Sequence, residues 1–234
     1  MTAASPRYLV LGAGGLGCPA LLGLRMAGAR RVDIVDHDRV DASNLARQVL
    51  YDLGDVGARK AEVAAAKLRA VGIDARAHVR RLPLDRPDAV AALLDEIGRD
   101  AIVLECTDAP ALKFACNDAL VAHGGRGVIG AALGLRGQAI AVQPGSACYR
   151  CVYEAPPPAE LLPTCAQAGV LGPAVGSVGF FMATLAVALA HGAADEVAGR
   201  LFVLELGSGI IRPLAGRPRP GCSCGRAPAP AACS

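Results

Sequence analysis

Aromatic side chains are scarce in this chain. Trp is absent and Phe and Tyr occur four times each, so a core must be assembled from the Ala, Val, Leu and Ile that dominate its 53% hydrophobic content. No charge of one sign prevails: 24 Lys and Arg face 21 Asp and Glu for a net charge of +3. With no basic cluster interleaved with aromatics, nucleic acid is excluded as the expected partner. The start, Met1 to Arg7, has no charged segment leading into an apolar one. No secretory signal is visible there, and the expectation is a cytoplasmic protein whose cysteines stay reduced. The nine cysteines are an odd count with two close pairs, which suits metal and reactive thiols better than a disulfide framework. Residues 169–190 carry no charge for 22 residues. That length could cross a bilayer. Gly169, Gly172, Gly176, Gly179 and Pro173, with no flanking Lys/Arg cluster, read instead as a buried helix, not a membrane span, with Gly172, Gly176 and Gly179 permitting close packing.

What the chain does have is concentrated between Tyr8 and Lys60. An apolar run at 8–11 of strand type passes into Gly12-Ala13-Gly14-Gly15-Leu16-Gly17, then a helical segment with Pro19 in its first turn, then a second strand at 32–35 ending on Asp36. Gly12, Gly14 and Gly17 match G-x-G-x-x-G in its strand–turn–helix setting, with an acidic residue about 20 positions on. Glycines let backbone N–H groups and the positive end of a helix approach phosphates, and Asp36 can accept from ribose hydroxyls. On this motif alone the ligand is a dinucleotide or ATP. The polar block that follows, with Asp38, Asn44, Arg47, Gln48 and Lys60, has no use in a nicotinamide enzyme. It fits a triphosphate whose bond is being displaced.

Beyond Lys60, residues 60–69 are rich in helix formers, and 75–80 alternate as a strand with one exposed face, on which His78 reads as solvated. Residues 87–97 read as a helix and 101–106 as a buried parallel strand, ending in Thr107-Asp108 where open α/β sheets place ligand contacts. Asp108 suits Mg²⁺, which wants oxygen ligands, or else caps the helix at 110–121. Strands at 127–132 and 138–142 read as a hairpin, and 201–206 and 210–214 as late strands. Cys148-x-x-Cys151 and Cys222-x-Cys224 could close a tetrahedral zinc site; the short second pair implies strain or a substitute such as Cys233. Cys18, Cys106 and Cys116 read as small core residues. The prolines of 154–165 deny that stretch regular structure, and Cys165 at its end is a loop cysteine that is either reactive or merely packed.

On Gly12 to Gly17, Asp36 to Asp38, Ser43 to Gln48, Val56 to Lys60, Cys106 to Asp108, Cys148 to Cys151 and 165–172, the chain resembles the ThiF/MoeB family, bacterial relatives of ubiquitin-activating enzymes. The resemblance implies one adenylation domain over 1–234. Its fold is α/β, a Rossmann-like, mostly parallel mixed sheet flanked by helices, with a nucleotide-binding unit at 8–60, a crossover loop at 154–172 and a tail at 218–234 that carries the second cysteine pair. It implies an ATP-dependent adenylyltransferase acting on the C-terminal glycine of a ubiquitin-like sulfur carrier ending in Gly-Gly, with a sulfur donor downstream and a homodimeric assembly. Gly12, Gly14, Gly15, Gly17, Asp36 and Asp38 would hold ATP. Asn44, Arg47, Gln48 and Lys60 would orient its phosphates, and Asp108 would carry Mg²⁺. Cys148, Cys151, Cys222 and Cys224 would hold structural zinc, and Cys165 would capture the activated carrier in those members that use such a cysteine. Ala109 departs from the family's Asn. The family's leading helix, whose Arg reaches the partner's ATP, has no counterpart before Tyr8, Arg7 lying too close to serve, so that arginine is expected to be absent, replaced or lost by truncation. Alternatives are activation of another C-terminus, such as a peptide precursor or a conjugation tag, a nicotinamide dehydrogenase lacking any hydride-site His beyond His123, and a non-catalytic nucleotide-binding scaffold.

Overall fold

The computed structural model describes residues 5–83, 88–157 and 171–225. Pro87, Cys165, Cys233 and most of the crossover segment therefore lie outside the described residues. The chain opens with β1 (Arg7–Leu11), α1 (Gly17–Met26) and β2 (Arg31–Val35), followed by α2 (Lys60–Arg69) and β3 (Asp74–His78). Then come α3 (Ala89–Ile97), β4 (Ile102–Glu105), α4 (Pro110–His123), β5 (Arg126–Leu133) and β6 (Arg136–Val142). A short α5 (Tyr149–Val152), a long α6 (Gly172–Ala190), α7 (Ala194–Val197), β7 (Arg200–Glu205) and β8 (Ile210–Ala215) complete the described elements.

These strands form an eight-stranded sheet in the order β3-β2-β1-β4-β5-β6-β7-β8. From β3 to β5 all pairings are parallel; β5–β6 is the expected hairpin, and β7 and β8, a second hairpin, extend the sheet antiparallel beside β6. The chain winds outward in opposite directions from β1, so a crevice opens where β1 and β4 end side by side, the position at which such sheets bind ligands. With few aromatics the core is aliphatic on both faces. Leu21, Leu24, Leu68, Val178 and Met182 bury the face under α1, α2 and α6, and Val90, Leu93, Leu94, Ile97 and Leu120 bury the face under α3 and α4. Each such side chain contributes about 1.5–3 kcal/mol on leaving water.

The uncharged run from 172 is a helix against α1 and the sheet, not an isolated apolar rod. A Cβ at Gly23 would lie 2.7 Å from that of Ala183, and one at Gly179 would lie 2.4 Å from the Leu16 carbonyl oxygen. Gly172 is equally tight against Ala46, whereas a Cβ at Gly176 meets nothing within 4 Å, so that glycine does not serve packing as its spacing suggests. A second correction concerns His78. Instead of being solvated, its Nε2 lies 2.8 Å from Oδ1 of the buried Asp33, because parallel pairing sets β3 beside β2 with His78 opposite Val35.

Candidate active site

A cavity of about 810 Å³ opens over the ends of β1, β2 and β4. Its floor is the glycine turn. Gly12 takes a φ of +87°, and a Cβ on Gly17 would fall 1.9 Å from the Gly12 carbonyl oxygen, so only glycine permits this approach of turn and helix. Asp36, buried at the end of β2, accepts the Ala13 N–H at 2.7 Å with Oδ2 and the Asp38 N–H at 2.7 Å with Oδ1. The acidic residue found by spacing therefore braces the turn as well as facing the cavity. Tyr51, which sequence reasoning missed, donates its hydroxyl to the Ala13 carbonyl at 2.9 Å and to that of Lys60 at 3.2 Å; burial raises its phenol above the usual range. An isolated Tyr in a polar loop carries no signal of that tie.

The polar block converges on the same wall. Asp41 accepts the Ser43 N–H at 2.8 Å and starts a short turn that carries Asn44, Arg47 and Gln48 inward, with Arg47 donating to Asn44 Oδ1. Lys60 opens α2, is buried, and donates to Asp38 Oδ2 at 3.0 Å. Gln48 is buried, and its Oε1 has no hydrogen-bond partner among the described residues. An unpaired buried amide oxygen is costly in a closed core; on a cavity wall it is a group a ligand can satisfy. Asp108 lines the cavity from the end of β4, and the cap position of α4 falls to Ala109 instead.

The same cavity is also lined, away from the glycine turn, by Ala131, Ala132, Leu133, Gln138, Tyr149 and Tyr153. Tyr153 donates to Gln138 Oε1 at 2.6 Å and its ring lies 4.8 Å from that of Tyr149. At the cavity wall sits a buried ion pair that no motif announces, Lys113 Nζ on Glu105 Oε2 at 2.5 Å. A carboxylate closing the apolar run at 102–105 does signal that a partner must lie near, since a charge is buried only when paired.

The ThiF family model matches residues 2–224. The chain belongs to the ThiF family. Two curated relatives are named adenylyltransferase and sulfurtransferase: MOCS3 of Sus scrofa, 37% identical over 228 residues, and uba4 of Aspergillus terreus, 37% identical over 207. The matches take 96% and 82% of this chain but 49% and 41% of those proteins, so the chain spans about half their length. The crystal structure of E. coli MccB with ATP superposes with a TM-score of 0.78 at 19% identity, over 94% of this chain and 67% of that one, a likeness of fold.

In this ThiF-family chain the two cysteine pairs meet. The Sγ atoms of Cys148, Cys151, Cys222 and Cys224 all lie within 4.8 Å of one another, with Cys148–Cys222 at 3.6 Å, Cys148–Cys151 at 3.9 Å and Cys151–Cys224 at 3.4 Å. A tetrahedral zinc with Zn–S bonds of about 2.3 Å requires sulfurs about 3.8 Å apart, so the donor set fits. The C-x-C pair supplies both of its sulfurs, and the expected strain or substitution by Cys233 is unnecessary. Burial would raise the Cys151 thiol, but hydrogen bonds, first from the Arg219 backbone N–H at 3.3 Å, bring it down to about 7. Cys18, Cys106 and Cys116 are buried as expected, and burial pushes Cys18 up to about 12.

Proposed function

We propose that this chain uses ATP to adenylate the C-terminal glycine of a ubiquitin-like sulfur carrier and prepares it for sulfur transfer. The observation that carries the reading is one continuous cavity lined both by the glycine turn with its cationic wall and by the small residues Ala131 and Ala132. Those small residues leave room for an unbranched chain end. The sulfurtransferase half of the relatives' names supports a sulfur carrier over other C-terminal substrates.

In this reading Gly12, Gly14, Gly15 and Gly17 cradle the nucleotide with backbone N–H groups, and Asp36 and Asp38 face its ribose side. Asn44, Arg47, Gln48 and Lys60 orient the phosphates. The carrier carboxylate attacks the α-phosphorus, the bond to the β-phosphate oxygen breaks, and pyrophosphate leaves with the electron pair, giving an acyl-adenylate. Little proton transfer is needed, so positioning and charge stabilisation carry the rate. Mg²⁺, for which Asp108 offers a hard carboxylate ligand, supplies further neutralisation of phosphate charge when bound. The cysteine cluster holds structural zinc, the assembly is a homodimer, and the protein works in the cytoplasm. Cys165 captures the acyl group after adenylation, releasing AMP.

The test is carrier-dependent exchange of pyrophosphate into ATP by the purified protein with Mg²⁺ and a Gly-Gly-ending carrier. Micromolar binding of NAD together with failure to bind ATP overturns the reading. Cys165→Ala keeps the exchange but loses the covalent enzyme–carrier species seen by mass spectrometry.

A further inference from the structure

Lys113 and Glu105 are the two charged side chains most deeply placed beside the cavity, at 5% and 0% side-chain exposure. They pair with one another, so their charges cancel. What they do is geometric. All three ammonium donors of Lys113 are used, on Glu105 Oε2 at 2.5 Å, the Thr107 carbonyl at 2.7 Å and the Gly130 carbonyl at 2.7 Å. These acceptors come from three segments: the end of β4, the turn that leads to Asp108, and the middle of β5. The other oxygen of Glu105 accepts the Thr107 N–H at 3.0 Å and the Thr107 hydroxyl. The turn is thus gripped on its N–H, its hydroxyl and its carbonyl at once. Asp108, directly after the turn, and Ala131 and Ala132, directly after Gly130, all line the cavity.

We infer that Lys113, with Glu105 as its counter-charge, is a positioning residue that fixes the turn bearing Asp108 against the β5 wall of the cavity at Ala131 and Ala132, and so sets the line of attack of the carboxylate on the α-phosphorus. The inference rests on the adenylation reading. Its physical content is that β4 and β5 are already tied by their parallel ladder, which leaves the loop above them free to shift unless a side chain holds it. Lysine is suited to the task because a tetrahedral ammonium aims three donors that do not lie in one plane with each other and the side chain, whereas a guanidinium keeps all its donors in one plane. A shift of about 1 Å between two reacting groups costs about 10²-fold in rate. Loss of the tie should therefore appear in kcat and not in substrate binding.

Removing Lys113 alone strands a buried carboxylate and endangers the fold. The informative variant is therefore the neutral double substitution Lys113→Met with Glu105→Gln, with Lys113→Arg as a charge-conserving companion. Pyrophosphate exchange is measured at varied ATP and carrier, ATP affinity is measured directly by calorimetry without carrier, and thermal melting reports the fold. The double variant should bind ATP within threefold of wild type and keep its KM values within threefold, while kcat falls by at least 30-fold; Lys113→Arg should lose about tenfold in kcat with melting unchanged. Either variant turning over within threefold of wild type overturns the inference, as does a loss confined to KM. Wild-type protein without exchange activity defeats instead the adenylation reading on which the inference stands, so the two failures are distinguishable.

Discussion

In the adenylation reading proposed above, Asp36 and Lys60 do two jobs with one charge each. The carboxylate holds the glycine turn through Ala13 and the loop through Asp38, and the ammonium sits buried against the half-exposed Asp38. A buried cation kept near a partly exposed partner can turn to an incoming phosphate at small cost in reorganisation. Lys60→Ala or Arg47→Ala should therefore lower carrier-dependent pyrophosphate exchange by about 10²-fold or more, the usual loss when one preorganised charge stabiliser is removed. Equal exchange rates in variant and wild type would remove these side chains from the reaction. The buried thiols give a second residue-scale test. With Cys18 pushed up to about 12 by burial and Cys106 and Cys116 raised by the same cause, all three stay thiols at pH 8. Iodoacetamide at that pH should leave all three unmodified in native protein and label them after denaturation, as read by peptide mass spectrometry; labelling of the native chain at Cys18 would show that the turn opens.

At the scale of elements, the first βαβ unit was legible because its signals are local: an apolar strand, glycines at fixed offsets, and an acid where the second strand ends. The ion pair of Glu105 and Lys113 was not, since eight positions between a strand end and a helix face show no pattern until the turn is folded. Helix α6 lies between these cases. Its glycines announced close packing, but spacing alone could not say which of them touch. The structure separates them: a Cβ at Gly179 strikes Leu16 and Pro19, while at Gly176 there is open space. Gly176→Ala should stabilise by about 0.5–1 kcal/mol, the ordinary helix gain of alanine over glycine. Gly179→Ala should destabilise, by about 1–3 kcal/mol for an overpacked contact. Denaturant unfolding measures both, and equal shifts would mean that α6 does not lie against α1 in this way.

Over the whole molecule, the cysteine cluster ties the segment after β6 to residues beyond β8, and so closes the part of the chain that contains α6, β7 and β8. Cys148 is fully buried in an apolar cluster with Phe114, Ile140 and Tyr149, so one end of the tie is anchored in the core. The other end, Cys222 to Cys224, follows a stretch of exposed residues from 216 to 221 that contains Pro218 and Pro220 and contributes little apolar burial of its own. Sulfurs held this close, without a disulfide, have little reason to share one site unless an ion draws them together. A structural zinc bound only in the folded state adds its binding free energy to folding. Purified protein should therefore contain close to one zinc per chain. Cys222→Ser should lose it and melt lower, each kcal/mol of lost clamp showing as about 2–4 °C in a chain of this size. Cys116→Ala, away from the cluster, should keep the metal. The nucleotide chamber is built from strands on the far side of the sheet order, so the zinc-free variant should still bind ATP at a temperature below its lowered melting point. Metal analysis and calorimetry together decide the matter: a metal-free wild type whose melting is unchanged by Cys222→Ser means that the four thiols are packing partners and the tie is not a clamp.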